Sequence, residues 1–82
     1  MRRSSSELQR EREELDRAQA AHEATHKSYE RLAAGIKTLP NLVAQQESDD
    51  ALARDRTNEA AVSAAKAALA SAQQQVDVSQ AD

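Results

Sequence analysis

Two histidines are the residues of this sequence whose type and spacing most readily suggest chemistry. His22 and His26 are four positions apart, so a helix would place both rings on one face, and this spacing can bind a metal ion. No third strong ligand follows at a fixed offset, and the HExxH pattern of zinc enzymes is absent. We therefore expect no metal and no other cofactor, with His22 packed as a neutral ring between helices. The alternative, a metal-binding hairpin that uses both histidines, stays open.

The sequence lacks the motifs of an enzyme active site. Serine, histidine and aspartate are all present, but no nucleophile elbow and no glycine-rich oxyanion loop accompany them. A phosphate-binding loop needs several glycines, and this chain has one. We predict that the protein is not an enzyme.

The composition is that of a helical protein with little apolar bulk. Strong helix formers dominate, and Tyr29 is the one aromatic residue. The net charge of −3 comes from 11 basic and 14 acidic residues that are well mixed, whereas nucleic-acid binding requires a clustered basic face. No apolar run approaches the ~20 residues that span a bilayer. No hydrophobic segment follows the basic start MRRSSSELQR, and there is no cysteine for a disulfide. We expect no nucleic-acid partner, no direct membrane insertion and no signal peptide in this chain.

The elements that must position the histidines are two long helices joined near the middle of the chain. Gly35 and Pro40, the single glycine and the single proline, lie there, with helix-compatible runs on either side. Because proline cannot continue a helix interior, the chain should reverse around it. We predict a disordered tail at 1–5, a first helix at 6–37, a tip turn at 38–43, a second helix at 44–79 and a tail at 80–82. Ser6 can cap the first helix, with Ser4 and Ser5 as alternatives, and Asn41 is a candidate cap of the second.

Heptad spacing defines the face along which these helices should meet. In the first half the positions run seven apart from Leu8 to Ile36, and in the second half from Ser48 to Val76. The second half is rich in alanine, so the two backbones can approach closely. The prediction is an all-α fold, a two-helix antiparallel coiled-coil hairpin. Its seam includes Leu8, Leu15, Tyr29, Leu32, Val62, Leu69 and Val76.

Large aliphatic residues cluster around the predicted turn. Ile36, Leu39, Leu42 and Val43 lie within eight residues of one another, and a chain reversal cannot bury all of them between two helices. One interpretation is an exposed apolar tip that docks onto a partner. The other is that these side chains fold over each other and close the end of the rod. The sequence leaves both open.

Three stretches of the sequence resemble a known family. YERL, LVAQQESDDALARDR and AAVSAAKAALASAQQQV are similar to the α-helical hairpin of periplasmic membrane fusion proteins, the RND-type adaptors of tripartite efflux and secretion systems. The resemblance covers about residues 8 to 80. In that family the hairpin is inserted between two halves of a lipoyl-like domain. The resemblance therefore implies that this chain is an excised part of a longer adaptor located in the periplasm.

The resemblance also implies a function in assembly. The tip would bind an outer-membrane channel, the helix flanks would bind neighbouring adaptor hairpins, and domains outside this chain would reach an inner-membrane transporter. The tip residues would be Arg31, Gly35, Ile36, Leu39, Pro40, Asn41, Leu42, Val43 and Ala44. The alternative function is that of a freestanding coiled coil, such as a small scaffold, a chaperone or a secretion-apparatus subunit.

The tip departs from the signature of the family that it resembles. That signature is an arginine, a leucine four residues later and a serine seven residues after that. Alignment on QQE places Ala44 where the serine would be, and two residues are inserted around TLPN. Arg31 matches the arginine only if the inserted residues follow it, and either Ile36 or Leu39 would replace the leucine.

Overall fold

The chain forms two long helices that pack side by side. The computed structural model describes residues 2–38 and 41–81. Helix α1 spans Arg2–Thr38, helix α2 spans Leu42–Ala81, and the two are in contact along a rod of 62 × 13 × 13 Å. No strand is present among the described residues. The prediction of an all-α helical hairpin is therefore confirmed.

The helices are longer than the sequence pattern predicted. Helix α1 begins at Arg2 and not at Ser6, so Ser6 lies inside the helix and does not cap it. Serine is only modestly unfavourable in a helix and no breaker precedes it, so the helix extends back through the predicted tail. Helix α2 includes Leu42 and Val43, which were assigned to the turn, and continues past Ser79. Met1, Leu39, Pro40 and Asp82 lie outside the described residues.

Asn41 caps the N-terminus of α2. Its Oδ1 accepts a hydrogen bond of 2.7 Å from the backbone N–H of Ala44, and its carbonyl oxygen accepts one of 3.0 Å from the N–H of Gln45. A capping side chain of this kind satisfies one of the donors that the first turn of a helix leaves free. The prediction of Asn41 as the cap is confirmed, and it explains why α2 begins directly after this residue.

The interior of the rod is thin and consists mostly of small side chains. Its buried apolar residues are Ala51, Ala65, Ala72 and Val76. Among the predicted seam positions, Val76 is buried, and the half-buried ones are Leu8, Leu15, Tyr29, Leu32, Val62 and Leu69. Since alanine lets two backbones approach closely, the larger side chains of α1 lie over the small ones of α2 and remain partly open to solvent. A two-helix rod buries each helix along one stripe only.

Neither helix is suited to a membrane crossing. Over the residues that the structure describes, no helix combines the length and the hydropathy that a span requires.

Candidate functional site

A polar layer interrupts the seam near the middle of the rod. It consists of His22, Thr25 and His26 from α1 and of Asp55 and Asn58 from α2. These residues occupy heptad positions or adjoin them, so the helices themselves direct the side chains toward each other. Asp55 is the most deeply buried charged residue of the described chain, with only 7% of its side chain exposed. A carboxylate at this depth requires partners, because desolvation of an unpaired charge is costly.

The two carboxylate oxygens of Asp55 face the two histidine rings. Oδ1 lies 3.2 Å from Nε2 of His22, and Oδ2 lies 3.3 Å from Nδ1 of His26. The rings themselves are 5.6 Å apart between centroids and tilted by 44°. Although Nε2 of His22 and Oδ1 of Asp55 are close, their geometry is not that of a hydrogen bond. Within the described residues, both of these buried atoms lack a hydrogen-bond partner.

A second carboxylate holds the far side of the His26 ring. Nε2 of His26 lies 2.7 Å from Oε1 of Glu30, one helical turn further along α1. The hydrogen bond to Asp55 is the main cause that raises the pKa of His26; desolvation lowers this pKa, and the negative charges of Glu30 and Asp55 raise it again. The His26 ring is half-exposed, so solvent reaches this side of the layer.

Asn58 ties the layer to the backbone of α1. Its Nδ2 donates hydrogen bonds to the carbonyl oxygen of Ala21 at 3.3 Å and to Oγ1 of Thr25 at 3.2 Å. The hydroxyl of Thr25 in turn lies 3.1 Å from the carbonyl oxygen of His22. These bonds are directional, so they form only when α1 and α2 have one particular register.

The layer adds a third possible ligand to the two histidines. His22, His26 and Asp55 each place a possible ligand atom within 4.8 Å of those of the other two. Fixed offsets along one helix do not reveal a possible ligand that comes from the opposite helix. A signal was present, because Asp55 is an acidic residue at a heptad position that would otherwise be apolar.

The hairpin tip is the second candidate site. Leu42 and Val43 have 73% and 63% of their surface exposed, although both are large apolar residues. Arg31, Gly35 and Asn41 are also exposed, whereas Ile36 and Ala44 are half-buried. The side chains of Leu42 and Val43 are thus largely open to solvent in this hairpin. Leu39 and Pro40, the remaining predicted tip residues, lie outside the described part of the chain.

Gly35 is not required by the backbone that surrounds it. It lies inside α1, no glycine of the described chain has a positive φ, and a Cβ at this position would meet no atom within 4 Å. If glycine is needed at this position, the reason lies in a partner that approaches this surface closely and not in the hairpin itself.

Taken together, the rod and its two candidate sites define an antiparallel two-helix hairpin with a polar layer at its middle and exposed apolar side chains at its tip. The chain belongs to the family described as the alpha-helical hairpin domain of RND membrane fusion proteins, whose model matches residues 7–79. This is the family that the sequence resemblance indicated. It is a family of periplasmic structural adaptors and not a known enzyme family. No curated protein and no solved structure matches the chain.

Proposed function

We propose that this chain is the hairpin through which a periplasmic adaptor connects an inner-membrane efflux transporter to an outer-membrane channel. In this proposal the tip contacts the channel, and the opposite end continues into the domains that reach the transporter. The module itself is not catalytic. It acts by holding its tip at a fixed distance and by presenting surfaces to other proteins.

The exposed apolar pair at the tip is the observation that carries the proposal. Leu42 and Val43 lie side by side at one end of a rod of 62 Å, and among the described residues the other large apolar residue with comparable exposure is Val78, near the opposite end. Apolar side chains exposed at such a point are stabilised when a partner covers them. Arg31 is exposed on the last turns of α1 and can add a charge-assisted hydrogen bond to a partner carbonyl or carboxylate.

The outer flank of α2 suits contacts between neighbouring hairpins. Exposed alanines recur along one face of this helix at Ala53, Ala60, Ala64 and Ala67. Small side chains allow a second helix to approach closely, as they do within the hairpin itself. This supports a side-by-side arrangement of several adaptor hairpins around a common axis.

The proposal is tested by removing the apolar tip and measuring binding to the purified outer-membrane channel of the same efflux system. We expect the double substitution Leu42→Ser and Val43→Ser to abolish channel binding in a surface-immobilised assay, with helix content by circular dichroism nearly unchanged. The matched control is Val78→Ser, because Val78 is also an exposed valine of α2, 60% exposed, but it lies near the opposite end of the rod.

Three results would contradict the proposal. If the double variant binds the channel as well as the unmodified hairpin, the tip does not dock there. If its helix content collapses, Leu42 and Val43 serve the fold and not a partner. Loss of binding in the Val78→Ser control would point to the wrong end of the rod.

A further inference from the structure

We propose that His22, His26 and Asp55 form a binding site for a divalent transition-metal ion of the zinc class, which links α1 to α2 at the middle of the rod. The site is distinct from the tip, and it does not depend on the adaptor function. Two imidazole nitrogens and one carboxylate oxygen are a ligand set that such ions prefer, with a fourth position open to water.

The spacing of the ligand atoms fits one ion. Two ligands bound at about 2.0–2.1 Å to one tetrahedral zinc ion lie about 3.4 Å apart. Oδ1 of Asp55 lies 3.2 Å from Nε2 of His22, and its other oxygen, Oδ2, lies 3.3 Å from Nδ1 of His26. All three ligand atoms lie within 4.8 Å of one another, so small side-chain rotations bring them onto a common ion.

The two orphaned atoms of the layer point to a ligand. Nε2 of His22 and Oδ1 of Asp55 are both buried and have no hydrogen-bond partner within the described residues. Buried polar atoms are nearly always satisfied, and an exception calls for an explanation such as an ion. A cation between them would satisfy both atoms at once. The Asp55 side chain is more than nine-tenths buried, so a bound cation would offset the cost of removing its charge from water.

Glu30 completes the arrangement as a residue that positions His26. Its carboxylate lies 2.7 Å from Nε2 of His26 and keeps a proton on that nitrogen, so an ion would displace the proton that Nδ1 shares with Asp55 and bind the neutral ring through Nδ1. Carboxylates that accept the second ring N–H of a metal-bound histidine are a regular feature of metal sites, because they fix the orientation and the tautomer of the ring. The half-exposed His26 ring also gives an ion a path from solvent.

The test is a titration of the untagged 82-residue chain with zinc chloride, followed by calorimetry and by the NMR signals of the two histidine rings. We expect one ion per chain, with both rings shifted and with no change in sedimentation coefficient. Thermal unfolding should move to higher temperature with zinc and return to its starting value with EDTA, because the ion binds the folded hairpin preferentially. Magnesium chloride should have no effect, since Mg²⁺ prefers oxygen ligands.

Three variants locate the site. Asp55→Asn keeps the shape of the side chain but removes its charge, and it should weaken zinc binding more than any other single change in this set. Glu30→Gln should weaken binding about tenfold while leaving the stoichiometry unchanged, since its effect is through His26. Asp50→Asn is the matched control, because it removes an exposed carboxylate from the same helix and should leave binding unchanged.

Several outcomes would overturn the proposal. Histidine signals that do not move at millimolar zinc would exclude the site. Equal affinity in Asp55→Asn would mean that the histidine pair binds zinc alone at the surface of α1. Half an ion per chain with an increased sedimentation coefficient would assign the ion to a contact between two molecules and not to the interior of one hairpin.

Discussion

Two regions of the seam hold α1 and α2 together by different means. One is the polar layer, and the other is the part of the seam nearer the two chain termini, which we call the terminal half. In the terminal half, where Leu8 and Leu15 meet the second half of α2, the buried residues are Ala65, Ala72 and Val76. Packing of this kind is non-directional, and a repeated pattern of alanines looks similar after a shift of one heptad. In the polar layer, the hydrogen bonds of Asn58 with Ala21 and Thr25 form in one register only.

This difference separates stability from specificity. Apolar burial in the terminal half favours contact between the helices, but it only weakly selects one alignment. The polar layer selects the alignment but includes two buried atoms without hydrogen bonds, which reduces its net contribution to stability. A mutation in the terminal half should therefore change mainly the free energy of unfolding, and a mutation in the polar layer should change mainly the register.

The largest effect is expected from a charge placed in the terminal half. Leu69→Asp removes a half-buried apolar side chain and puts an unpaired carboxylate on the seam, which should lower the free energy of unfolding by about 3 kcal/mol. Urea unfolding followed by circular dichroism measures this loss. The control is Ala70→Asp, because its side chain is exposed and adjacent. If Leu69→Asp and Ala70→Asp give equal urea-unfolding curves, the terminal half is not the main source of stability.

A smaller effect of opposite sign is expected from an apolar replacement in the polar layer. With EDTA present, the double substitution His22→Leu and Asp55→Leu should raise the free energy of unfolding by about 1–3 kcal/mol, because it removes two unsatisfied buried atoms and adds apolar contact. The same variant should show broadened or doubled amide signals in NMR spectra, since alternative registers become accessible.

A lower free energy of unfolding in this double variant would contradict the conclusion that the polar layer contributes specificity and not stability. It would mean that the contacts of Asp55 with the two rings contribute more than their desolvation costs. Sharp single amide signals would mean that Asn58 alone suffices to fix the register.

The sequence was sufficient to predict the hairpin because the relevant signals are local and periodic. A single proline marks the reversal, and heptad spacing marks the face on which the helices meet. The helix ends were less predictable. Serines near the start of the chain can extend a helix or cap it with little difference in energy, so the sequence favours a cap at Ser6 although this residue lies inside α1.

The polar layer shows why the candidate site was harder to predict than the fold. His22 and His26 share one helix, and their spacing identified them from the sequence alone. Asp55 is 29 residues beyond His26, and its place opposite the two rings depends on the register of the hairpin and not on any fixed offset. An acidic residue on an otherwise apolar seam was the available clue, and it becomes informative only once the two helices are aligned.

The smallest effect that distinguishes the two regions is the pH dependence of stability between pH 6 and 8. The hydrogen bond to Asp55, with help from Glu30, raises the folded-state pKa of His26 above its ordinary value of 6.5. The stabilisation from protonated His26 is therefore fully present below the unfolded pKa and is lost as the pH rises through the folded pKa. With EDTA present, the urea midpoint should be slightly higher at pH 6 than at pH 8. His26→Gln should reduce this difference, whereas Leu15→Ala should lower both midpoints and leave the difference unchanged, because Leu15 packs in the terminal half, away from both rings. A midpoint that rises with pH in the unmodified chain would mean that the ring gains nothing from Asp55 and Glu30 on folding.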